Sequence, residues 1–540
     1  METFVFRKEN GSQLMKSGQY NESIDEFTYV IDNIAGRDED CLYMISICLL
    51  NRSSCYLFQE NANKSIEDAE KLIKIINELD SEVSNSNRIT AALGLAYIRL
   101  GEAYEYLNDF LLSIRNYLHS IAIIPSGGGK EAISRIKIQL GLSEEDYKDE
   151  KLKLFNDIKN KIEDESIITN CLSSLYQEIE DNILDEERLS LYISNHVHIV
   201  LYAIIHVYLS NEIIVNICIV IIRNYASKGF RDIFDGLPVI KNVYEKWEKN
   251  QSIVGDLIRL LHITPDDMYQ DLIEYEFSYH ILSSFKLGLS VEEADFAFLI
   301  LFHLLKTPSM IAEAENYCIL DFITKYKTKS SIILLSRMCS VDEICEIAYR
   351  KNILEYTFTI LSKVTEEHMV IIPTIITIAR IVLRLPNGIV EKSKDIVGHI
   401  MPVVLKHSRI HDIISNGFAI LSVCTELNPN AIIESRAIQA SSILLAMNIT
   451  EVRVVQSILA FLVSCSRNGL SENINQLPTL LTTVLTAFSQ NISNLEIVER
   501  SVLLVVNCSH PKSNEFLMLG MKMYPSSKPL KSIYSRLQKK

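Results

Sequence analysis

Apolar residues recur every three or four positions through most of the chain, which is the spacing of amphipathic α-helices. The stretch 97–125, YIRLGEAYEYLNDFLLSIRNYLHSIAIIP, shows the pattern most clearly. It predicts one helix through Tyr104, a turn at Phe110, a second helix through Tyr117 and a stop at Pro125. No segment alternates apolar and polar residues over the length of a strand. We therefore predict an all-α fold that contains helical hairpins.

A unit of 34 residues describes this hairpin when Gly101 is placed at position 8 and Pro125 at position 32. Aromatic residues then occupy positions 4, 11, 17 and 24, and Ser113 occupies position 20. Small residues at positions 8 and 20 allow the two helices to approach closely, and the proline stops the second helix. This pattern resembles the tetratricopeptide repeat, which implies a hairpin that stacks on copies of itself.

The same frame fits two segments upstream. A stack of three repeats is usually the smallest that is stable, and its last hairpin requires a cap. The amphipathic segment 129–142 is placed to provide that cap. We therefore predict a tetratricopeptide domain over 1–142, with three repeats and a capping helix. Positions 8, 20 and 24 of the upstream repeats are Gly11, Ser23 and Phe27, then Ser53, Ser65 and Ala69.

The charged segment 143–151, SEEDYKDEK, predicts a linker. In 152–540, apolar helices repeatedly end in small or polar residues before a short polar turn. Five equivalent anchor positions are spaced by 43, 43, 41 and 43 residues, a period typical of armadillo and HEAT repeats. We therefore predict an armadillo-like superhelical domain over 152–540, with a clear register after about residue 330. The anchors are Arg337, Arg380, Val423, Ser464 and Asn507.

Composition narrows the classes of partner. A net charge of −15 argues against a general nucleic-acid binder, because phosphate contacts require clustered Lys and Arg. The most apolar run, 199–209, is shorter than the ~18–20 residues of a membrane span, so we predict no membrane association. The start of the sequence lacks the features of a signal peptide. Eleven cysteines without a CxxC pair indicate core residues in a reducing compartment, the cytoplasm or alternatively the nucleus.

Motifs for catalysis are not found. The sequence contains no GxxxxGK[ST], HExxH or GxSxG motif. The histidine pairs His196/His198 and His407/His411 have no third ligand at metal-binding spacing. We therefore predict a protein that is not an enzyme and that binds no metal or cofactor.

Several tetratricopeptide domains with three repeats bind the acidic C-terminal tail, EEVD, of heat-shock protein 90 or 70. The resemblance implies that Lys, Arg and Asn side chains on the inner helices hold the tail's carboxylates. It assigns this role to Lys8, Asn51 and Arg99, with Ser12 as a weaker donor where the family has Asn. Leu95 departs from the pattern, since the family has Lys there, and Arg88 could supply charge further along the groove. The alternative, that these are ordinary surface residues, stays open.

The order of the two predicted domains resembles the UCS-domain myosin co-chaperones. That resemblance implies a first domain that recruits heat-shock protein 90 and an armadillo part that binds a motor-protein client. The chain is short for that family, and its carboxylate clamp is incomplete. Tetratricopeptide–armadillo factors for axonemal dynein arm assembly share the layout and are a second interpretation. A general protein-interaction scaffold without any chaperone is the third.

Overall fold

The computed structural model describes residues 2–36, 38–79, 86–142, 146–180, 186–364 and 366–538, without the side chains of residues 180 and 186. It divides into two compact units, residues 1–268 and 269–540. The described residues form 33 α-helices and five short 3-10 helices, with no strand among them, which confirms the all-α helical-repeat prediction. Residues 143–145 of the predicted linker lie outside the described residues, and the predicted domain boundary there stays a prediction.

The first unit begins with three helical hairpins and a seventh helix, followed by seven further described helices. The hairpins are α1 (Glu2–Lys16) with α2 (Tyr20–Asn33), α3 (Glu39–Phe58) with α4 (Ala62–Asn77), and α5 (Asn87–Tyr106) with α6 (Phe110–Ile123); then come α7 (Gly129–Gln139), α8 (Lys153–Asn160), α9 (Glu165–Glu180), α10 (Glu186–Ser194), α11 (His198–Val207), α12 (Glu212–Ser227), α13 (Leu237–Lys246) and α14 (Gln251–His262).

One hydrogen bond recurs inside each of the three hairpins, between positions 20 and 8 of the 34-residue frame. The Ser23 hydroxyl donates to the Gly11 carbonyl at 2.8 Å, and the Ser113 hydroxyl donates to the Gly101 carbonyl at 2.8 Å. In the middle hairpin the position-20 residue is again a serine, Ser65, and its hydroxyl lies 2.7 Å from the hydroxyl of position 8. The recurrence supports the frame read from the sequence.

Position 24 completes the packing between the helices of each hairpin. A Cβ atom added to Gly11 would lie 2.8 Å from the Phe27 ring, and one added to Gly101 would lie 2.6 Å from the Tyr117 ring. The middle hairpin carries a side chain at position 8, Ser53, and has only Ala69 at position 24. A large residue at one position is thus matched by a small one at the other, as close packing requires.

The turn inside each hairpin also repeats. Gly18, Glu60 and Asn108 have left-handed backbones, with φ of 79°, 59° and 57°. Each follows the last turn of the first helix, where a left-handed residue ends the helix and allows the chain to reverse. Asn61 and Asp109 then cap the second helix of their hairpins through side-chain hydrogen bonds.

Two first helices are longer than the frame requires. Gly11, Ser53 and Gly101 lie 42 and 48 residues apart rather than 34, and α3 and α5 each have 20 residues. Part of the additional length extends the amino-terminal ends of both helices.

Among the described helices, α3 alone has the length and apolarity of a membrane span by itself, and half of its most apolar stretch is buried in the structure. The pair formed by Glu187–Ser194 and His198–Val207 meets the same criteria only when taken together, across a 65° bend. Helix α3 has no long uninterrupted apolar run, because it mixes apolar with polar residues.

Later helices of the first unit are joined by asparagine side chains. Asn211 caps α12 and donates to Glu165 of α9 at 2.9 Å. Asn250 caps α14 and donates to Glu212 of α12 at 2.7 Å. In both places an asparagine therefore caps one helix and links it to an earlier helix of the unit.

The second unit repeats a group of three helices, and in one repeat a 3-10 turn takes the place of the first helix. Its helices are α15 (Tyr269–Glu274), α16 (Phe277–Ser284), α17 (Val291–Leu304), α18 (Pro308–Asn316), α19 (Ile319–Tyr326), α20 (Lys329–Met338), α21 (Asp342–Arg350), α22 (Ile353–Lys363), α23 (His368–Arg384), α24 (Ser393–Lys406), α25 (His411–Leu427), α26 (Pro429–Glu434), α27 (Ala437–Met447), α28 (Val452–Arg467), α29 (Ser471–Asn475), α30 (Pro478–Gln490), α31 (Leu495–Asn507), α32 (Ser513–Met523) and α33 (Lys528–Gln538).

The third helices of these repeats, α17, α20, α23, α25, α28 and α31, pack side by side in chain order and form what we call the inner row. They begin 38 to 43 residues apart. All five predicted anchors lie on this row, and three of them bond to the preceding helix. The contacts join Arg380 to the Ser336 carbonyl, Ser464 to the Ser422 carbonyl at 3.0 Å, and Asn507 to the Ser466 hydroxyl at 3.0 Å.

Candidate functional site

The first helices of the three hairpins carry the residues that the sequence assigned to tail binding. Lys8 and Ser12 lie on α1, Asn51 on α3, and Arg99 on α5. All four are partly exposed. The position of each is fixed by the packing of its helix against the second helix of its own hairpin.

Lys8 is a cation without an anionic partner among the described residues. It lies close enough to the thiol of Cys48, on α3, to act on its ionisation. Burial raises the pKa of that thiol to about 12, while the positive charges of Lys8 and Arg52 act in the opposite direction. The thiol is therefore neutral near pH 7 and does not neutralise the lysine.

Ser12 is already engaged in a hydrogen bond. Its hydroxyl donates to the backbone carbonyl of Lys8 at 2.9 Å, one turn earlier in α1. A serine hydroxyl has one proton to donate. Donation to a ligand therefore requires Ser12 to give up the bond within its own helix.

Asn51 has no hydrogen-bond partner among the described residues, and its neighbour Arg52 fixes the helix that carries it. The Arg52 guanidinium donates two bonds to the Asp68 carboxylate, at 2.8 and 2.6 Å, and one to the Thr28 hydroxyl at 2.7 Å. These bonds connect α3 to α4 and to α2. The Asn51 amide is thus a free donor on a helix of well-defined orientation.

The third hairpin differs from the predicted clamp. The Arg99 guanidinium donates to Glu102 on the same helix, so its charge is partly neutralised. Leu95, one turn earlier, is 39% exposed. Arg88 pairs with Asp40 at 2.9 Å and lies over the Tyr43 ring, 4.0 Å from its centroid. Arg88 is therefore bound within the protein.

An apolar cleft lies beside these residues, between the amino-terminal parts of α3 and α5. Sequence reasoning missed it, and the only available signal was the long interval before each of these two repeats. Its volume is about 260 Å³. Its lining residues are Tyr43, Ile47, Asn87, Arg88, Ala91, Ala92 and Leu95.

Buried thiols are a second chemical feature of the chain. Of the eleven cysteines, ten are buried, and Cys318 is exposed. Burial raises the pKa of Cys424 and of Cys465 to about 12, as it does for Cys48. Thiols in such surroundings react poorly, since the thiolate is the reactive form. The prediction that these cysteines are core residues is confirmed.

Metal ligation has no geometric support in the part of the chain described here. No group of three His, Cys, Asp or Glu residues within it is arranged to hold a metal ion. His198 is buried, and burial lowers its pKa, while His411 lies 3.4 Å from Glu451.

No protein-family model matches the sequence, and no curated protein matches it. Solved structures resemble it in fold. A chain from work on a phosphorylation switch in the interaction between cadherin and β-catenin has a TM-score of 0.50 and 11% identity, over 89% of this chain and 98% of that one. At this identity the likeness shows the helical-repeat fold alone.

Two further structures are more distant. The myosin chaperone UNC-45 from C. elegans, in complex with a Hsp90 peptide, has a TM-score of 0.24 and 11% identity, over 96% of this chain and 73% of that one. A structure of Naa15/Naa10 bound to HypK-THB has a TM-score of 0.24 and 10% identity, over 99% of this chain and 96% of that one.

Proposed function

We propose that this chain is a non-enzymatic cytoplasmic adaptor. Its N-terminal hairpins bind the acidic C-terminal tail of heat-shock protein 90 or 70, and residues 152–540 bind a motor-protein client such as myosin. The observation that carries the proposal is the pair Lys8 and Asn51, two partly exposed donors that have no partner among the described residues. An acidic tail with a free carboxylate requires such donors on neighbouring helices.

The ion pair of Arg99 does not prevent it from contributing. Its partner Glu102 is three residues away on the same helix, and both side chains are about one-third exposed, at 31% and 35%. Pairs of this kind stabilise a helix by only about 0.2–0.5 kcal/mol. A peptide carboxylate that makes a charge-assisted bond, worth about 1.5–3 kcal/mol, can therefore replace Glu102.

Fluorescence polarisation of a labelled peptide that ends in EEVD, titrated with the full chain, tests the tail-binding part. Lys8→Ala and Asn51→Ala should each weaken binding, and Lys8→Ala by roughly tenfold or more, because it removes a charged donor. Lys16→Ala is the matched control, since it removes a lysine from the exposed end of the same helix. An amidated peptide should bind much more weakly than the free acid. Equal binding by Lys8→Ala, Lys16→Ala and the unaltered chain would contradict the proposed contact.

A gain-of-binding variant gives the complementary result. Leu95→Lys restores the one family position that carries an apolar residue here, on a side chain that is already 39% exposed. We expect tighter binding of the EEVD peptide and a steeper dependence on salt. Weaker binding would show that the apolar cleft around Leu95, rather than the missing charge, determines what this half of the groove accepts.

The client part is tested by heating a myosin motor domain with and without the full chain and measuring light scattering. Suppressed aggregation is the expected result. Unchanged aggregation would favour the scaffold interpretation, in which the chain binds defined segments of its partners without protecting them.

A further inference from the structure

Three cations from successive repeats line one pocket on the inner row of the second unit. Lys306 follows the end of α17, Arg337 lies in the last turn of α20, and Arg380 lies in α23. The pocket has a volume of about 330 Å³. The remaining lining residues are Phe302, Ile311, Ser336, Ser340 and Ile376.

No carboxylate pairs with any of these three cations within the described residues. The Arg337 guanidinium lies over the Phe302 ring, 4.2 Å from its centroid, and Arg380 donates to the Ser336 backbone carbonyl. Burial lowers the pKa of Arg337, and the positive charge of Arg380 lowers it further. The charge that acts on Arg337 in this pocket therefore has the same sign.

Three other arginines of the inner row are neutralised by carboxylates. Arg384, one turn after Arg380, pairs with Asp342, and Arg453 of α28 pairs with Asp412 of α25 at 2.8 Å. Arg500 of α31 pairs with Glu496. Arg337 and Arg380 differ from these three in having no carboxylate beside them, although the chain has 68 acidic and 53 basic residues.

Holding two guanidinium groups near each other without an anion costs folding free energy. Local arrangements that are unfavourable for folding in this way concentrate at functional sites. The pocket offers what a carboxylate requires, because arginine can donate to it in a bidentate manner and lysine supplies a further charge. Phe302, Ile311 and Ile376 give an apolar wall against which an aliphatic stem can pack. The chemistry therefore matches glutamate or aspartate side chains.

We propose that Lys306, Arg337 and Arg380 bind an acidic segment of a partner protein, in an extended conformation across three successive repeats. An extended chain fits better than a single ion because the three cations come from three successive repeats: Arg337 and Arg380 from two helices of the row, and Lys306 from the segment after a third. The proposal deepens the client-binding part of the function proposed above and rests on it only for the partner being a protein. It is independent of Lys8 and Asn51, which lie in the other unit.

The test uses the full chain and a labelled peptide of alternating Glu and Gly, acetylated and amidated so that it has no terminal carboxylate. A peptide with Gln in place of Glu is the reference. Lys306→Ala should weaken binding of the Glu peptide severalfold, and Lys306→Ala with Arg337→Leu should weaken it at least tenfold. Lys363→Ala, which removes one exposed positive charge from α22 outside the row, should leave binding unchanged.

The outcomes separate the alternatives. Preference for the Glu peptide over the Gln peptide, with loss in the Lys306 variants only, supports the proposal. Equal binding of the two peptides, or equal effects of Lys306→Ala and Lys363→Ala, would overturn it. Full displacement of the peptide by an equal concentration of inorganic phosphate would show a simple anion site and would also overturn it. The probe lacks the terminal carboxylate that the EEVD titration tests. Failure of one experiment therefore leaves the other unaffected.

Discussion

The ion pair between Arg52 and Asp68 should dominate the stability of the N-terminal hairpins. Its side chains are only 12% and 6% exposed, whereas those of the Arg99–Glu102 pair are 31% and 35% exposed. Asp68→Ala would leave the guanidinium buried without a counterion. Removing one partner of a buried pair typically costs about 3–5 kcal/mol. We expect about 3 kcal/mol here, because the remaining exposure of Arg52 allows some access to water.

Hydrogen–deuterium exchange of the amides in α3 and α4 measures this effect in the intact chain. A chain with two compact units need not unfold in a single step, so a local measurement is better defined than a midpoint. A loss of about 3 kcal/mol corresponds to roughly 150-fold faster exchange through local opening. Exchange in α25 and α28 of the second unit should not change.

Two controls determine whether burial is the cause. Glu102→Ala breaks the pair with Arg99, whose side chains are about one-third exposed, and should change exchange by less than about threefold, since such pairs contribute only about 0.2–0.5 kcal/mol. The double variant Arg52→Met/Asp68→Leu should be much less damaging than Asp68→Ala, because it leaves no buried charge. The reasoning would be refuted if the double variant exchanged as fast as the single one.

Two further predictions concern packing and titration. Gly101→Ala should lower the melting temperature, because the new methyl group overpacks against Tyr117. Overpacking costs about 1–3 kcal/mol, which outweighs the roughly 1 kcal/mol gained in helix propensity. Gly398→Ala in α24 should raise the melting temperature, because its Cβ would meet nothing within 4 Å. Burial raises the pKa of Cys48 from 9.0 to about 12, so the unfolded chain loses this proton first, and stability should fall as pH rises above 9. Denaturation at pH 8 and pH 10 checks the second prediction, and native alkylation at pH 8 should label Cys318 before Cys48; higher stability at pH 10, or early labelling of Cys48, would contradict it.

The features that could be predicted from the sequence are those in which the size of one side chain determines the size of its neighbour within the same hairpin. The pairs Gly11/Phe27 and Gly101/Tyr117 show that a ring at position 24 requires no side chain at position 8. Ala69 at position 24 shows the converse. Such matched changes are visible in the sequence, because both positions belong to one hairpin and the separation between them is fixed.

A long first helix from about Cys41 was expected in the middle hairpin, but the extension of α5 and its contact with α3 were not predicted. A 34-residue frame describes a hairpin and does not specify the residues between hairpins. The bond that joins the extensions, between Arg88 and Asp40, spans 48 residues. Arg88 was therefore expected along the groove, whereas the structure pairs it with Asp40.

The candidate clamp residues could be identified from the sequence, but whether each of them is already paired within the protein could not. By residue type, Lys8 and Arg99 match the family pattern equally well. The structure separates them, because Glu102 lies one turn from Arg99 while the group that lies close to Lys8 is a thiol. Which cation stays unpaired depends on local rotamers and burial, and a motif does not encode either.

The two candidate surfaces share one electrostatic property that the composition conceals. A chain with 68 acidic and 53 basic residues has an acid for every cation, and most half-buried arginines among the described residues do pair. Lys8 instead lies near a thiol that burial keeps neutral, and Arg337 lies near a second arginine. In each place the nearby group cannot act as the counterion. An anion from outside the chain would neutralise the unpaired cations at both surfaces. The unpaired cations, and not the net charge of the chain, therefore indicate that these surfaces would bind an acidic partner segment.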